Sequence, residues 1–380
     1  MFKKSLTALA VLGVAAGYAS AAEVTLYGVA DLGLMYNHAK ADDGATTEKT
    51  DSFGLESGIN AGSRFGLKGT EDLGNGLTVG FKLENSFNAD DGTLGHGSRL
   101  FGREASVSLS GDFGTLSAGR MGGVGSSAGV DTVYATGDAF DGGDNNILGL
   151  AISSRYDNLL QYQTPVFAGL QGTFQYSFKG DNKNEAQKEA REGSSAVDRY
   201  MSASLNGNWG AVGAVVGYEF FNYASFEATE HEDGQIVYLG GNYDCGFAKT
   251  FAMAQYFKGI KAGALNALAF LDDKEIEAAD EAYNDGFKGY GLHLGTQVPV
   301  LAGLTTVGLY YVDATAESTN LEDRDGSYYG VAARYEYPLS KRTTVYTGAG
   351  YGKTTMDSVG ATPEQSFEIV QAYVGLKHTF

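Results

Sequence analysis

The chain has 380 residues, of which 55 are glycine and only 4 proline, and its aromatics are 24 Tyr and 21 Phe against one Trp. A formal charge of −19 disfavours nucleic acid as a partner, since that would need a basic face, and a single cysteine, Cys245, excludes an intrachain disulfide. Nowhere is there a run of the ~18 apolar residues that a membrane-spanning helix needs.

The chain opens with Lys3 and Lys4, an apolar run from Leu6 to Ala16, and the small residues Ala19-Ser20-Ala21-Ala22. This is the pattern of a secretory signal peptide over residues 1–21, with cleavage after Ala21 or Ala22. Residues 22–380 are long enough for two domains, yet the same alternation runs from end to end, so one domain is expected.

Two kinds of connection then take turns along the chain. The short ones are tight turns at Asp72–Gly76, Gly111–Gly114, Pro165–Gly169, Asn206–Asn208, Asp244–Gly246, Pro299–Gly303 and Pro338–Lys341, built from the Gly, Asn, Asp and Pro that such turns demand. The long ones are polar segments near 37–61, 88–98, 121–150, 179–198, 223–233, 259–287, 314–326 and 354–366. Together they separate about sixteen strands, with short turns at one rim and long loops at the other.

Within the strands, alternation assigns faces. Arg64, Lys68 and Thr70 oppose Phe65 and Leu67; in 170–178 the even positions are apolar and the odd ones polar; Tyr329, Val331, Ala333, Tyr335 and Tyr337 oppose Arg334 and Glu336. A sandwich core or a barrel wall satisfies this period equally well. The export signal, strands of about ten residues and lopsided loops favour an all-β transmembrane antiparallel barrel, with lipid outside and a wet lumen inside.

The alternation stops between Met121 and Leu150, where eight glycines are scattered among Asp131, Asp138, Asp141 and Asp144. A structureless run of that length inside a domain is expected to be a functional loop, here one folded into the lumen. Gly123-Val124-Gly125-Ser126-Ser127-Ala128 within it imitates a dinucleotide-binding glycine pattern, but no helix and second parallel strand follow. Further on, Leu265, Leu268, Leu271 and Ile276 lie near a helical period beside Asp272, Asp273, Glu275 and Glu277. They predict a short helix in an outer loop, with a partner-binding helix as the alternative. The five histidines have no metal-ligand spacing, and no cofactor or metal site is expected. The acidic pairs Asp42-Asp43 and Asp90-Asp91 read as solvated loop faces, with divalent bridging to lipopolysaccharide as the alternative.

Four stretches resemble the betaproteobacterial, neisserial-type family of Gram-negative porins. They are Glu23-Val24-Thr25-Leu26-Tyr27-Gly28, the run Ser63–Gly74, the run Gly111–Thr115 through Gly119-Arg120, and the ending Tyr373-Val374-Gly375-Leu376-Lys377-His378-Thr379-Phe380. The resemblance implies a sixteen-stranded homotrimeric barrel of the outer membrane that passes small hydrophilic solutes. It also implies a third outer loop facing a cluster of Arg and Lys on the wall. Asp131, Asp138, Asp141 and Asp144 are then the loop side of the constriction, and Arg64, Lys68, Lys82, Arg103 and Arg155 the wall side. Arg103 matches a family position, although strict alternation with Ala105, Val107 and Leu109 puts it on the outer face. Tyr373, Gly375, Leu376 and Phe380 would be the ending read by the barrel-assembly machinery.

The expected function is passive diffusion of ions and small hydrophilic solutes through a water-filled channel, with no catalysis. A substrate-specific channel is the alternative within transport. From another class, the alternative is a barrel enzyme with an active site at its outer rim.

Overall fold

Turn and alternation signals become backbone pairing along nearly the whole chain. The computed structural model describes residues 23–126, 133–140, 150–184, 187, 189–224, 232–268, 271 and 273–380. The expected signal peptide lies outside the described residues, as do Asp131, Asp141 and Asp144.

Before the long connection come β1 (Glu23–Asp42), β2 (Thr47–Ser57), β3 (Arg64–Gly74), β4 (Leu77–Ser86), β5 (Glu104–Gly111) and β6 (Gly114–Gly122). After it come β7 (Arg155–Gln163), β8 (Leu170–Ser177), β9 (Arg199–Trp209), β10 (Val212–Asn222), β11 (Gly234–Asp244) and β12 (Lys249–Ile260). β13 (Gly286–Val300), β14 (Gly303–Glu317), β15 (Arg324–Pro338), β16 (Thr343–Met356) and β17 (Gln365–Thr379) complete one antiparallel sheet. β17 returns to pair with β1 from Val29–Thr379 to Asp42–Ser366, which closes the ring and removes both edges of the sheet at that seam.

Seventeen strands fill sixteen places in this wall, because β2 and β3 share one side of β1. β1 pairs with β3 up to Val29–Arg64 and with β2 from Leu32–Ser57 onward, so residues 58–63 lie opposite only Ala30 and Asp31. Asp31 gathers this surplus: its Oδ2 accepts from the Asn60 and Ala61 amides at 3.2 and 2.8 Å, and its carbonyl accepts from Gly58 at 2.9 Å. Gly58 turns the corner at φ +76°, a conformation that a Cβ would resist.

The segment 37–61, expected to be a loop, is therefore mostly a hairpin. Residues 47–57 read as polar because both faces of β2 are exposed above the wall, with Phe53 71% exposed. A ribbon wet on both sides needs no apolar alternation. Six of the seven short turns fall where the sequence puts them, each joining consecutive strands at one rim; Asn206–Asn208 instead lies within β9, and the chain turns just after it, at Gly210 and Ala211.

Outward positions are apolar over the height of the wall, for example Leu26, Leu205, Leu239, Leu294, Leu309 and Val331. Tyr256, Tyr290, Tyr311 and Tyr329 stand along one rim of this band, paired or diagonal across neighbouring strands, as interfacial aromatics do. Inward positions divide into two sectors. On β3 to β8 they are polar or charged, including Lys82, Ser106, Gln161 and Gln175; on β9 to β15 many are large and apolar, including Tyr200, Tyr238, Met253, Phe257, Tyr310 and Val312. An apolar inner face has to be covered from within.

Candidate functional site

The connection between β6 and β7 supplies that cover. Its two roots pair with each other, Gly123 N to Ser154 O and Ser153 N to Gly125 O, both at 3.0 Å. Below them sits Glu219, on the inward side of β10 and 0% exposed. A buried carboxylate is tolerable only when donors surround it, and three converge here. Gly125 N donates to Oε1 at 3.0 Å, Tyr200 OH donates to the same oxygen, and Tyr238 OH donates to Oε2 at 2.6 Å. Tyr200 OH in turn accepts from Val124 N at 3.2 Å. The second root is held by Gln255, whose amide oxygen accepts from Ala151 N at 2.8 Å while its nitrogen donates to Ala151 O at 3.1 Å.

Between the roots, the single-turn helix Val133–Gly137 lies against the inner wall at β9 to β12. Val133 and Tyr134 are fully buried, Tyr134 OH donates to Ala151 O at 2.7 Å, and Asn242 donates to Thr136 O at 2.8 Å. Backbone meets backbone where Gly137 crosses Gly240, and a Cβ on either residue would come within 3.1–3.3 Å of the other's Cα, so a side chain there would crowd the crossing. The chain then runs on to β13–β15. Ala139 N donates to His293 Nε2 at 3.1 Å, which leaves the ring hydrogen on Nδ1 to reach Leu309 O at 3.1 Å. Gln297 donates to Ala139 O at 2.7 Å, and the Arg334 guanidinium lies 4.9 Å over the Phe140 ring.

Asp138 is part of this anchor. It is 1% exposed, and its Oδ1 accepts from Phe140 N at 2.7 Å and from Tyr310 OH at 3.0 Å. Of the four loop acids expected at the aperture, Asp138 is thus committed to the far wall, while the other three lie outside the described residues.

The five wall cations lie on the open sector. Lys68 and Lys82 line a cavity of about 610 Å³ together with Thr25, Glu104, Ser117 and Gln161. Arg103 also points inward, against strict alternation. Its amide donates to Glu84 O at 3.2 Å while Glu104 is the ladder partner of Glu84. Two residues therefore face one, as in a β-bulge, and the alternation slips by one. Arg103 Nε consequently reaches Glu84 Oε1 at 2.6 Å. Arg155 lies within electrostatic reach of Arg103, Arg64 and Glu84. Lys68 joins the group through the ring of Tyr27, 5.2 Å from its Nζ, and Tyr27 OH donates to Glu84 at 2.8 Å.

Two acids complete the cluster, and the sequence reading did not pick them out. Glu84 binds Arg103 and lies 3.8 Å from Lys82, and Glu104 binds Lys82 at 2.7 Å. Their signal was available, since Glu84 shares parity with Lys82 and Glu104 with Ser106. A second cluster at the adjacent rim joins Arg120 to Asp157 at 2.6 Å and Arg99 to Asp157 at 3.2 Å. Facing both clusters is His96, in the connection between β4 and β5. Its partial burial, then the surrounding arginines 155, 103, 120 and 99, hold its pKa down at about 4.

A family model described as Gram-negative porin matches residues 7–357. The chain is 32% identical over 376 residues to an outer membrane porin protein of Bordetella pertussis, covering 92% of this chain and 94% of that one. It is 29% identical to outer membrane porin protein 32 of Delftia acidovorans, covering 92% and 90% of the two chains. Among solved structures, the anion-selective porin from Comamonas acidovorans superposes with a TM-score of 0.63 at 26% identity, over 94% of this chain and all of that one.

Proposed function

The chain belongs to the Gram-negative porin family, and on that basis we propose that its aperture is a basic one that favours small anions over cations. It is an outer-membrane β-barrel porin, a channel for ions and small hydrophilic solutes. The family and its relatives are channels, which leaves the barrel-enzyme alternative without support.

One observation carries the proposed preference. Five cations, Arg64, Lys68, Lys82, Arg103 and Arg155, stand in the open sector against two carboxylates, Glu84 and Glu104, and Asp138 is turned away into the opposite wall. The name of the Comamonas relative, an anion-selective porin, agrees with this reading. Magnitude limits its strength: unit charges ~8 Å apart interact by about 0.5 kcal/mol in a water-like dielectric. That gives a bias of roughly twofold per charge and no tight recognition. Asp131, Asp141 and Asp144 remain candidates for the loop side, and replacing Asp141 and Asp144 by Asn is expected to raise the anion preference.

Reversal potentials of the refolded protein in a salt gradient test the reading. Lys82→Gln is expected to lower the anion-to-cation ratio about twofold, and Glu104→Gln, which releases Lys82, to raise it by a similar factor. Both changes moving the ratio the same way, or neither moving it, would remove this cluster from the ion path. The proposal also includes cleavage of the signal peptide after Ala21 or Ala22, a homotrimer, lipopolysaccharide around the rim, and recognition of Tyr373, Gly375, Leu376 and Phe380 by the barrel-assembly machinery.

A further inference from the structure

We infer that the connection between β12 and β13 is a second pore-narrowing element, which folds into the lumen and clamps the returning root of the β6–β7 loop. The inference rests on the channel reading above and adds a specificity determinant to it.

The first observation is a set of backbone contacts inside the ring, toward its loop-side rim. Leu265 pairs with Ala151 as an isolated antiparallel bridge, flanked by Ile152 N to Ala264 O at 2.9 Å and Asn266 N to Leu150 O at 3.3 Å. Thr354, on the inward side of β16, donates to Ala267 O at 2.6 Å. Two loops that are far apart in sequence are thus joined edge to edge and tied to the wall.

The second observation is independent and concerns the wall itself. In a wet lumen the inward positions of β14 should be polar, yet Val312 and Ala316 are apolar and each 1% exposed. The outward positions at the same height, Asp313, Thr315 and Glu317, are polar, so this stretch of β14 is dry on its inner face alone. Leu265 and Leu268, 4% and 5% exposed, belong to the same apolar cluster and cover it. The helix Asp273–Ala282 packs on the outer side of this plug through Ile276 and Ala279, and Asp280 accepts from Ala262 N at 2.6 Å. The sequence reading placed a helix here in an outer loop; the helix is present, but the turns before it enter the barrel. The cavity lined by Lys68, Lys82 and Glu104 lies across from this plug, against the basic wall.

Single-channel recording and liposome swelling with neutral sugars of graded size test this in the full barrel. Replacing residues 262–284 by a short Gly-Ser turn is expected to raise conductance roughly twofold, because the narrowest section governs a pore, and to admit larger sugars. An unchanged conductance and sugar limit in a variant that still forms channels would overturn the inference while leaving the channel reading intact. A wild-type protein that forms no channel would instead sink the channel reading.

A cysteine pair covers the case in which the deletion does not fold. Bridge partners lie about 4.5–5.5 Å apart at Cα, within the ~4.4–6.8 Å that a disulfide spans. Ala151→Cys with Leu265→Cys, in a Cys245→Ser background, is expected to cross-link in the folded barrel and keep wild-type conductance. Two thiols that label freely but do not cross-link, or a cross-linked barrel whose conductance drops, would overturn the clamp.

Discussion

The arginines of the open sector act on a histidine as well as on passing ions. His96 keeps a pKa near 4 because burial and four guanidinium groups oppose a further positive charge. Between pH ~6.5 and that value the unfolded chain takes a proton that the folded chain refuses, so this residue's contribution to stability falls as pH falls through the window. The same asymmetry sets a permeation result. Reversal potentials of the wild type and His96→Gln are expected to superpose at and above about pH 5 and to separate only near pH 4, where protonation adds a cation to the cluster. Separation already near pH 6 would mean that the ring is solvated and apart from the arginines. At this scale the sequence was readable wherever alternation is strict: Arg64, Lys68 and Lys82 alternate with Phe65, Leu67 and Leu83. It was unreadable at Arg103, because a bulge adds a residue without leaving a mark in composition. It was also unreadable at Asp138, whose partner Tyr310 is more than 150 positions away.

Elements carry the next set of consequences. The β6–β7 loop is anchored at its first root by one buried carboxylate that three donors share. Glu219→Ala leaves the Gly125 amide and the hydroxyls of Tyr200 and Tyr238 without that acceptor, at about 1–3 kcal/mol for each group left unmatched. The expected result is a barrel that still inserts but whose open-channel current fluctuates more, measured as excess noise in single-channel traces. Quiet traces from Glu219→Ala would show that the remaining contacts hold the loop unaided. That this loop enters the lumen could be expected from its length and glycine content, whereas its landing site could not. The landing site is written in the receiving strands, as large apolar residues at inward positions of β9 to β15. That pattern reads equally well as a soluble core until the ring is known to close.

For the whole molecule, closure is the governing fact, and its seam lies where β17 meets β1. Phe380 N and Gly28 N exchange hydrogen bonds with each other's carbonyls at 3.0 Å beyond the last paired residues of the strands. Removing Phe380 deletes both bonds, a net loss on the order of 1 kcal/mol each, at the place where a barrel must finish closing. A lower yield of compact, heat-modifiable protein on unheated gels is expected, with wild-type conductance in the fraction that does fold. A normal yield would locate the closing step elsewhere. The count of sixteen places was readable because seven tight turns recur at intervals that only up-and-down strands produce. The extra strand was hidden, since a projecting ribbon has no dry face to announce it.

That projecting ribbon has a practical use. Its tip, residues 43–46, is exposed; Gly44 leans on Pro363 of the last long connection, and Asp43 and Thr46 cap each other through local hydrogen bonds. Exposed tips of this kind accept insertions readily. An epitope grafted after Ala45 should therefore be displayed to antibodies on intact cells while permeation is untouched, giving a handle for counting these proteins at the cell surface without disturbing what they admit.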